Sequence, residues 1–175
     1  MAKATRCFHA LRPFWRSRTN LTVKGAVYQT LVRTVLLFGA AAWVLTADDN
    51  AVLQTWDASN LRFILDVSKR QHFRSDDCRA RMHIEFTVEQ EVRRARLRLF
   101  LKVARAQMAE SVYSSAFLDH LIFCSGSEVN VKRGRPRKTW LQCLTDDLQA
   151  YNYGLFSARS LARGNATKFK QLFLA

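Results

Sequence analysis

Five cations, Lys132, Arg133, Arg135, Arg137 and Lys138, fall within seven residues of the stretch Lys132–Trp140. Gly134 lets the backbone lie flat or turn at little steric cost. Pro136 removes one donor and biases Arg135 toward an extended conformation. The chemistry such a stiff basic arm offers is phosphate binding. A second group has helical spacing. Glu91, Arg94, Arg98, Lys102 and Arg105 form a stripe along one helix side, and Arg93 and Arg96 add flanking charge. Cations repeated at i, i+4 cost helix stability. A nucleic acid would offset that cost; the alternative is a solvated helix face.

Other constellations are thin. Cys7, Cys78, Cys124 and Cys143 are scattered without C-x-x-C spacing and read as reduced thiols of an intracellular protein. His120 and Cys124 stand one helical turn apart, but no second pair has zinc-finger spacing. His72 and His83 are isolated and read as surface or core residues. No nucleophile–base pair, phosphate loop or metal cluster is visible, so hydrolase and transferase chemistry is not expected. Nor is a cofactor or a small-molecule substrate.

The chain around these groups has 175 residues, enough for one domain or two small ones. A hydrophobic fraction of 49% supplies a core. Lys+Arg number 28 and Asp+Glu 14, a net charge of +14 that calls for a polyanionic partner. Only 6 Gly and 2 Pro interrupt long stretches of 3.6-residue period, which predicts an all-α fold. Thr34–Leu45 is apolar but too short to span a bilayer, so no membrane is expected. The expected location is nucleus or cytoplasm. The acid-free, basic N-terminus (Lys3, Arg6, Arg12, Arg16, Arg18) offers mitochondrial import as the lesser alternative.

The elements follow in order. A helix is predicted over 2–15, distorted or ended by Pro13. Thr22 is placed to cap a central helix through Val27, Tyr28, Leu31, Val32, Val35 and Phe38. Leu31, Val35, Trp43 and Trp56 are expected in the core. Thr46, with Asp49 at N3, caps a helix running to Ile64. Ser75 caps a short helix to Met82. Thr87 and Gln90 form a capping box for the basic helix. Ser111–His120 reads as a short helix and Leu121–Val131 as a loop. After the arm, Trp140, Leu144 and Leu148 share a helix face. The last helix has Ser157 as candidate cap and Leu161, Phe169 and Leu172 as apolar contacts, with a weak point at Gly164-Asn165. Asp76-Asp77 and Asp146-Asp147 read as ordinary helix residues.

Two resemblances attach to these residues. Arg133-Gly134-Arg135-Pro136 resembles the AT-hook core of high-mobility-group A proteins. The longer string Gly134–Trp140, followed by Asp146-Asp147-Leu148, is similar to the C-terminal segment of LINE-type (non-LTR) retrotransposon reverse transcriptases. Phe14-Trp15 through Lys24, Tyr28, Leu31-Val32 and Leu36–Trp43 resemble the thumb region of that family. Leu61–Leu65, Arg93–Leu99 and Leu161–Phe169 follow in the family's order. There are departures: Phe38–Trp43 lacks the usual Tyr and Glu, the basic helix lacks the usual Gly-His, and Asn165 and Phe169 replace Asp-Arg and Trp. Thr46-Ala47-Asp48-Asp49 echoes the polymerase's metal-binding aromatic-Ala-Asp-Asp motif. It begins with Thr and lacks flanking strands, which favours the helix cap. The palm and any apurinic-type endonuclease domain are absent.

The resemblance implies a non-catalytic, nucleic-acid-binding C-terminal fragment of an RNA-directed DNA polymerase, holding template RNA or target DNA. The alternatives are an AT-hook-like minor-groove DNA-binding adaptor and a structural subunit of a ribonucleoprotein. The expected fold is an irregular all-α bundle with a basic extended arm before the penultimate helix. Its regions are thumb-like 1–66, basic helical 67–131, and arm with C-terminal helices 132–175. The expected phosphate contacts are Lys132, Arg133, Arg135, Arg137, Lys138, Arg94, Arg98, Lys102 and Arg105.

Overall fold

The structure is a computed structural model and describes residues 1–71, 73–106 and 138–174. Among these residues every regular element is a helix, so the fold is all-α. The chain divides into two compact units, Met1–Gly39 with Ala47–Glu91 and Ala40–Thr46 with Val92–Ala175. His72, Ser111–His120, Leu121–Val131, Cys124 and Lys132–Arg137 lie outside the described residues.

In the first unit, the helix expected over 2–15 is two helices, α1 (Ala2–Ala10) and α2 (Arg12–Trp15). Pro13 sits in the first turn of α2, where its missing N–H breaks no helical bond. Trp15 stacks on Phe8 at 5.5 Å, and its Nε1 donates to the Phe8 carbonyl at 2.9 Å. Helix α3 (Leu21–Val27) is capped by Asn20, not Thr22: the Asn20 Oδ1 accepts from the Thr22 N–H at 3.0 Å. The chain then widens into a π-helical stretch, Tyr28–Arg33, before a last α-turn, α4 (Thr34–Leu36). Gly39, with φ +73°, turns it away.

The widened turn decides which residues face inward. Tyr28, Val32 and Leu36 are buried, whereas Leu31 and Val35 are 47% and 40% exposed. Their expected place in the core is therefore corrected. The helix is apolar on most sides, so periodicity alone leaves its inward face open. Trp43 and Trp56 are half-buried rather than central. Helix α5 (Ala47–Ile64) begins directly after Thr46, with Asp48 and Asp49 in its first turn, where acids oppose the macrodipole. Helix α6 (Ser75–Arg81) includes Ser75 as its first residue; Arg74 holds the cap position. The exposed His83, at φ 53°, ends the turn after α6. The core of this unit gathers Phe8, Trp15, Tyr28, Val32, Leu61, Ile64, Cys78, Met82 and Ile84.

The boundary between the units falls inside α7 (Val88–Ala106). The capping box is present: Thr87 N–H donates to Gln90 Oε1 at 2.8 Å, and Gln90 N–H to Thr87 Oγ1 at 3.1 Å. Thr139 and Gln142 make a second box at the start of α8 (Trp140–Gln149). Two helices follow, α9 (Leu155–Gly164) and α10 (Ala166–Phe173). Gly154 takes the cap position of α9, so Ser157 lies inside the helix. Asn165 caps α10 by accepting from the Lys168 N–H at 2.8 Å. The weak point at Gly164-Asn165 is thus a helix junction. The basic run precedes the third helix from the end, not the penultimate one. Leu97, Phe100, Leu101, Ala104, Leu144, Leu148, Ala158, Ala162, Phe169 and Phe173 form the second core; Leu172 is 40% exposed.

Candidate nucleic-acid interface

Some cations are consumed inside the fold. Arg33, carried by the π-helical stretch, is 1% exposed. Its Nη2 and Nε donate to the Asp57 carboxylate at 2.7 and 3.1 Å, and its Nη1 to the Phe86 carbonyl at 2.7 Å. Glu91 lies 3.5 Å away, and the guanidinium stands 5.8 Å from the Tyr28 ring centre. Tyr28 donates its hydroxyl to Asp57 at 2.9 Å. Burial, reinforced by the Asp57 charge, pushes the Tyr28 phenol far above its ordinary range. Lys24 is also buried; its Nζ donates to the Trp15 and Ser17 carbonyls at 2.7 and 2.8 Å, a cation at the end of α2.

Arg96 departs from its expected flanking role. It is buried, with Nε donating to Asp147 Oδ2 at 2.8 Å and Nη1 to the Trp43 carbonyl at 3.1 Å. Arg93 Nε lies 3.2 Å from the other carboxylate oxygen. Burial pushes the Asp147 carboxyl above the usual range, and Arg96 and Arg93 partly offset that. Asp147 is therefore a buried ion-pair partner rather than an ordinary helix residue.

The expected contact residues then separate. Arg94 is partly buried and donates to the Leu174 carbonyl beyond α10. Lys138 is exposed but pairs with Asp146 at 2.8 Å, a bond that raises its ammonium pKa. Arg98, Lys102 and Arg105 are exposed, and none forms an ion pair with a described residue. At about 1.5 Å rise per residue, they mark a row roughly 10 Å long. One strand of a duplex presents a phosphate about every 3.4 Å of axis, so the row matches roughly three steps. Lys132, Arg133, Arg135 and Arg137 lie outside the described residues.

A further cationic group was not singled out by the sequence. Arg163 on α9 donates from Nε to the Ala104 carbonyl at 3.2 Å, which seats its guanidinium beside the end of α7 that carries Arg105. Arg159 is one turn earlier on the same helix, and Lys168 and Lys170 are exposed on α10. The i, i+4 spacing of Arg159 and Arg163 was legible; their neighbour was not. Among the described residues, no three or more His, Cys, Asp or Glu side chains converge as metal ligands. No helix among them is long and apolar enough to cross a membrane. What the surface offers is fixed positive charge for anions. No protein family, curated protein or solved structure matches this chain.

Proposed function

We propose that this chain is a non-catalytic nucleic-acid-binding element, acting as the thumb and C-terminal region of a LINE-type reverse transcriptase does in holding template RNA or target DNA. The observation that carries the binding is the exposed row Arg98, Lys102 and Arg105. The arginines nearer the start of the same helix, Arg94 and Arg96, are engaged within the fold. Three adjacent like charges repel one another and lower helix stability. Phosphates neutralise them, and the net charge of +14 draws a polyanion toward them. The tie to reverse transcriptases rests on the order of motifs from Phe14 to Phe169. Lys132, Arg133, Arg135, Arg137 and Lys138 extend the contact.

The test is fluorescence anisotropy of the full chain on RNA and DNA across a salt series. Replacing Arg98, Lys102 and Arg105 by Gln should lower affinity and flatten the slope of log K against log salt by about 2–3, since each phosphate contact contributes roughly 0.7–0.9. AT-rich and GC-rich duplexes should bind alike, because phosphate contacts carry no sequence information. An unchanged slope in the triple variant would remove this row from the interface. A strong A·T preference would instead favour minor-groove reading by the arm.

A further inference from the structure

We propose that the outer face of the first unit's central helix pairs with the same face of a second copy of this chain, about a two-fold axis. The pairing is independent of the nucleic-acid reading. From Thr19 to Thr46 the only charged residues are Lys24 and Arg33, and both are buried. Charge is otherwise dense in this chain, with 24% of residues charged and a net +14. The exposed positions of α3, the π-helical stretch and α4 are therefore all neutral. Val23, Leu31 and Val35 are 46%, 47% and 40% exposed, and Phe38, in the turn after α4, is 86% exposed.

With the exposed Ala26, Thr30 and Thr34 and the half-buried Val27, these residues form a stripe. Its spacing, i, i+3, i+4, i+7, i+8, i+11, i+12 and i+15, is that of a helix face that meets another element. In a plain α-helix, positions four apart drift by about 40°. The i→i+5 bonds of the π-helical stretch widen its turn, so Val27, Leu31 and Val35 stay nearly in line. Thr30 Oγ1 donates to the Ala26 carbonyl at 2.9 Å, and Thr34 Oγ1 to the Gln29 carbonyl at 3.2 Å. Both hydroxyls are thus satisfied within the helix, and the face offers no charge to a phosphate or an acidic peptide.

The order of the residues identifies the occupant. An antiparallel two-fold centred between Thr30 and Leu31 maps the stripe onto itself. Phe38 of one copy then falls opposite Val23 of the other, Val35 opposite Ala26, Thr34 opposite Val27 and Leu31 opposite Thr30. Three of these four pairs set a larger side chain against a smaller one, which lets the helix axes approach to about 8–10 Å. The stripe is roughly 22 Å long. Closing it on both copies removes on the order of 1,000 Å² of surface, the size at which specific interfaces begin. A centre depleted of charge is also what such interfaces show. Helix α1 packs beside the stripe, with Cys7 Sγ 3.7 Å from the Leu31 carbonyl oxygen. Its exposed cations Lys3 and Arg6 therefore lie near the edge of the pair and repel their copies. Salt screens that repulsion and leaves the apolar contact intact. The pair should tighten as salt rises, the reverse of phosphate binding.

Sedimentation velocity of the full chain, cleared of nucleic acid by nuclease, measures the association across protein concentrations at low and high salt. A reversible dimer that tightens with salt is expected. Leu31→Glu and Leu31→Lys should each weaken it at least about 100-fold, because like charges then meet near the axis. Mixing the two variants should restore association, since opposite charges then face each other. Ala26→Glu and Val35→Lys combined in one chain should regain affinity over either change alone, a rescue that requires the antiparallel register. Phe38→Ala should weaken the dimer about 30-fold or more, the loss of an aromatic anchor. Its ring lies outside the helix, so this variant decides the matter if circular dichroism shows the Leu31 variants unfolded. A monomer at every concentration, a dimer that none of these changes alters, or a mixture that stays monomeric would overturn the proposal. A dimer that dissolves as salt rises would overturn it too, by pointing to an ionic contact. So would a monomer that binds anionic phospholipid vesicles and loses them in Phe38→Ala, which would give this face to a membrane surface.

Discussion

Replacing Asp57 by Asn should destabilise the first unit by about 3–5 kcal/mol, the cost of leaving a buried charge without its partner. The magnitude follows from what Asp57 holds. Its Oδ1 accepts from Tyr28 Oη at 2.9 Å and Arg33 Nε at 3.1 Å, and its Oδ2 accepts from Arg33 Nη2 at 2.7 Å. Asp57 is 2% exposed and Arg33 1%, so water cannot take over these bonds. An Asn side chain is nearly isosteric, and its oxygen can serve the first two donors. Its NH2 group would then face Nη2, donor against donor, beside an uncompensated guanidinium. Glu91 at 3.5 Å is too far and too exposed to replace the lost charge. A typical domain is stable by about 5–15 kcal/mol, so this single change removes a large share. Urea unfolding followed by circular dichroism, with hydrogen exchange read separately on peptides from 1–39, 47–91 and 92–106, would locate the loss. Faster exchange confined to the first two ranges is expected. A shift below about 1 kcal/mol would show that the Arg33–Asp57 pair does not secure this unit.

Two further outcomes follow from the same packing. Tyr28→Phe should cost about 1 kcal/mol at neutral pH. The Tyr28 phenol is held above its ordinary value, so its contribution is whole below about pH 10 and lost above it, at roughly 1.4 kcal/mol per pH unit; the gap between parent and variant in urea melts should narrow there, and a constant gap would refute the assignment. Gly25→Ala should cost about 1–3 kcal/mol or more, because the new Cβ would lie 2.1 Å from the Met82 carbonyl oxygen; an unchanged melting temperature would deny that close approach.

What was legible in the sequence was mostly local. The capping box Thr87/Gln90 and the helix start at Thr139 join residues three apart, so spacing alone exposes them. The junction at Gly164-Asn165 is equally local, since a poor helix former is followed by a good cap. Register in the central helix was not legible. Tyr28, Val32 and Leu36 face inward there because Tyr28 and Arg33 meet Asp57, more than 20 residues on. Nothing within 21–38 records that partner, and an apolar run admits either face. Asn20 and Thr22 are both good caps, so the choice between them was open by chemistry alone.

The site shows the same limit more sharply. Arg96 and Arg98 differ by two positions, about 200° of helix rotation, and their fates are opposite. Arg96 turns toward Asp147, 51 residues away, and is buried with it. Arg98 turns outward and keeps its charge at the surface. Arg94 stands one turn before Arg98 on the same stripe, yet it closes the end of the chain at the Leu174 carbonyl. A net charge of +14 therefore overstates what a partner meets. Lys24, Arg33 and Arg96 hold the fold, and Arg98, Lys102 and Arg105 face solvent. The distinction has a physical basis: a buried cation requires a fixed partner in the chain, whereas a phosphate-binding cation must be left without one until the ligand arrives.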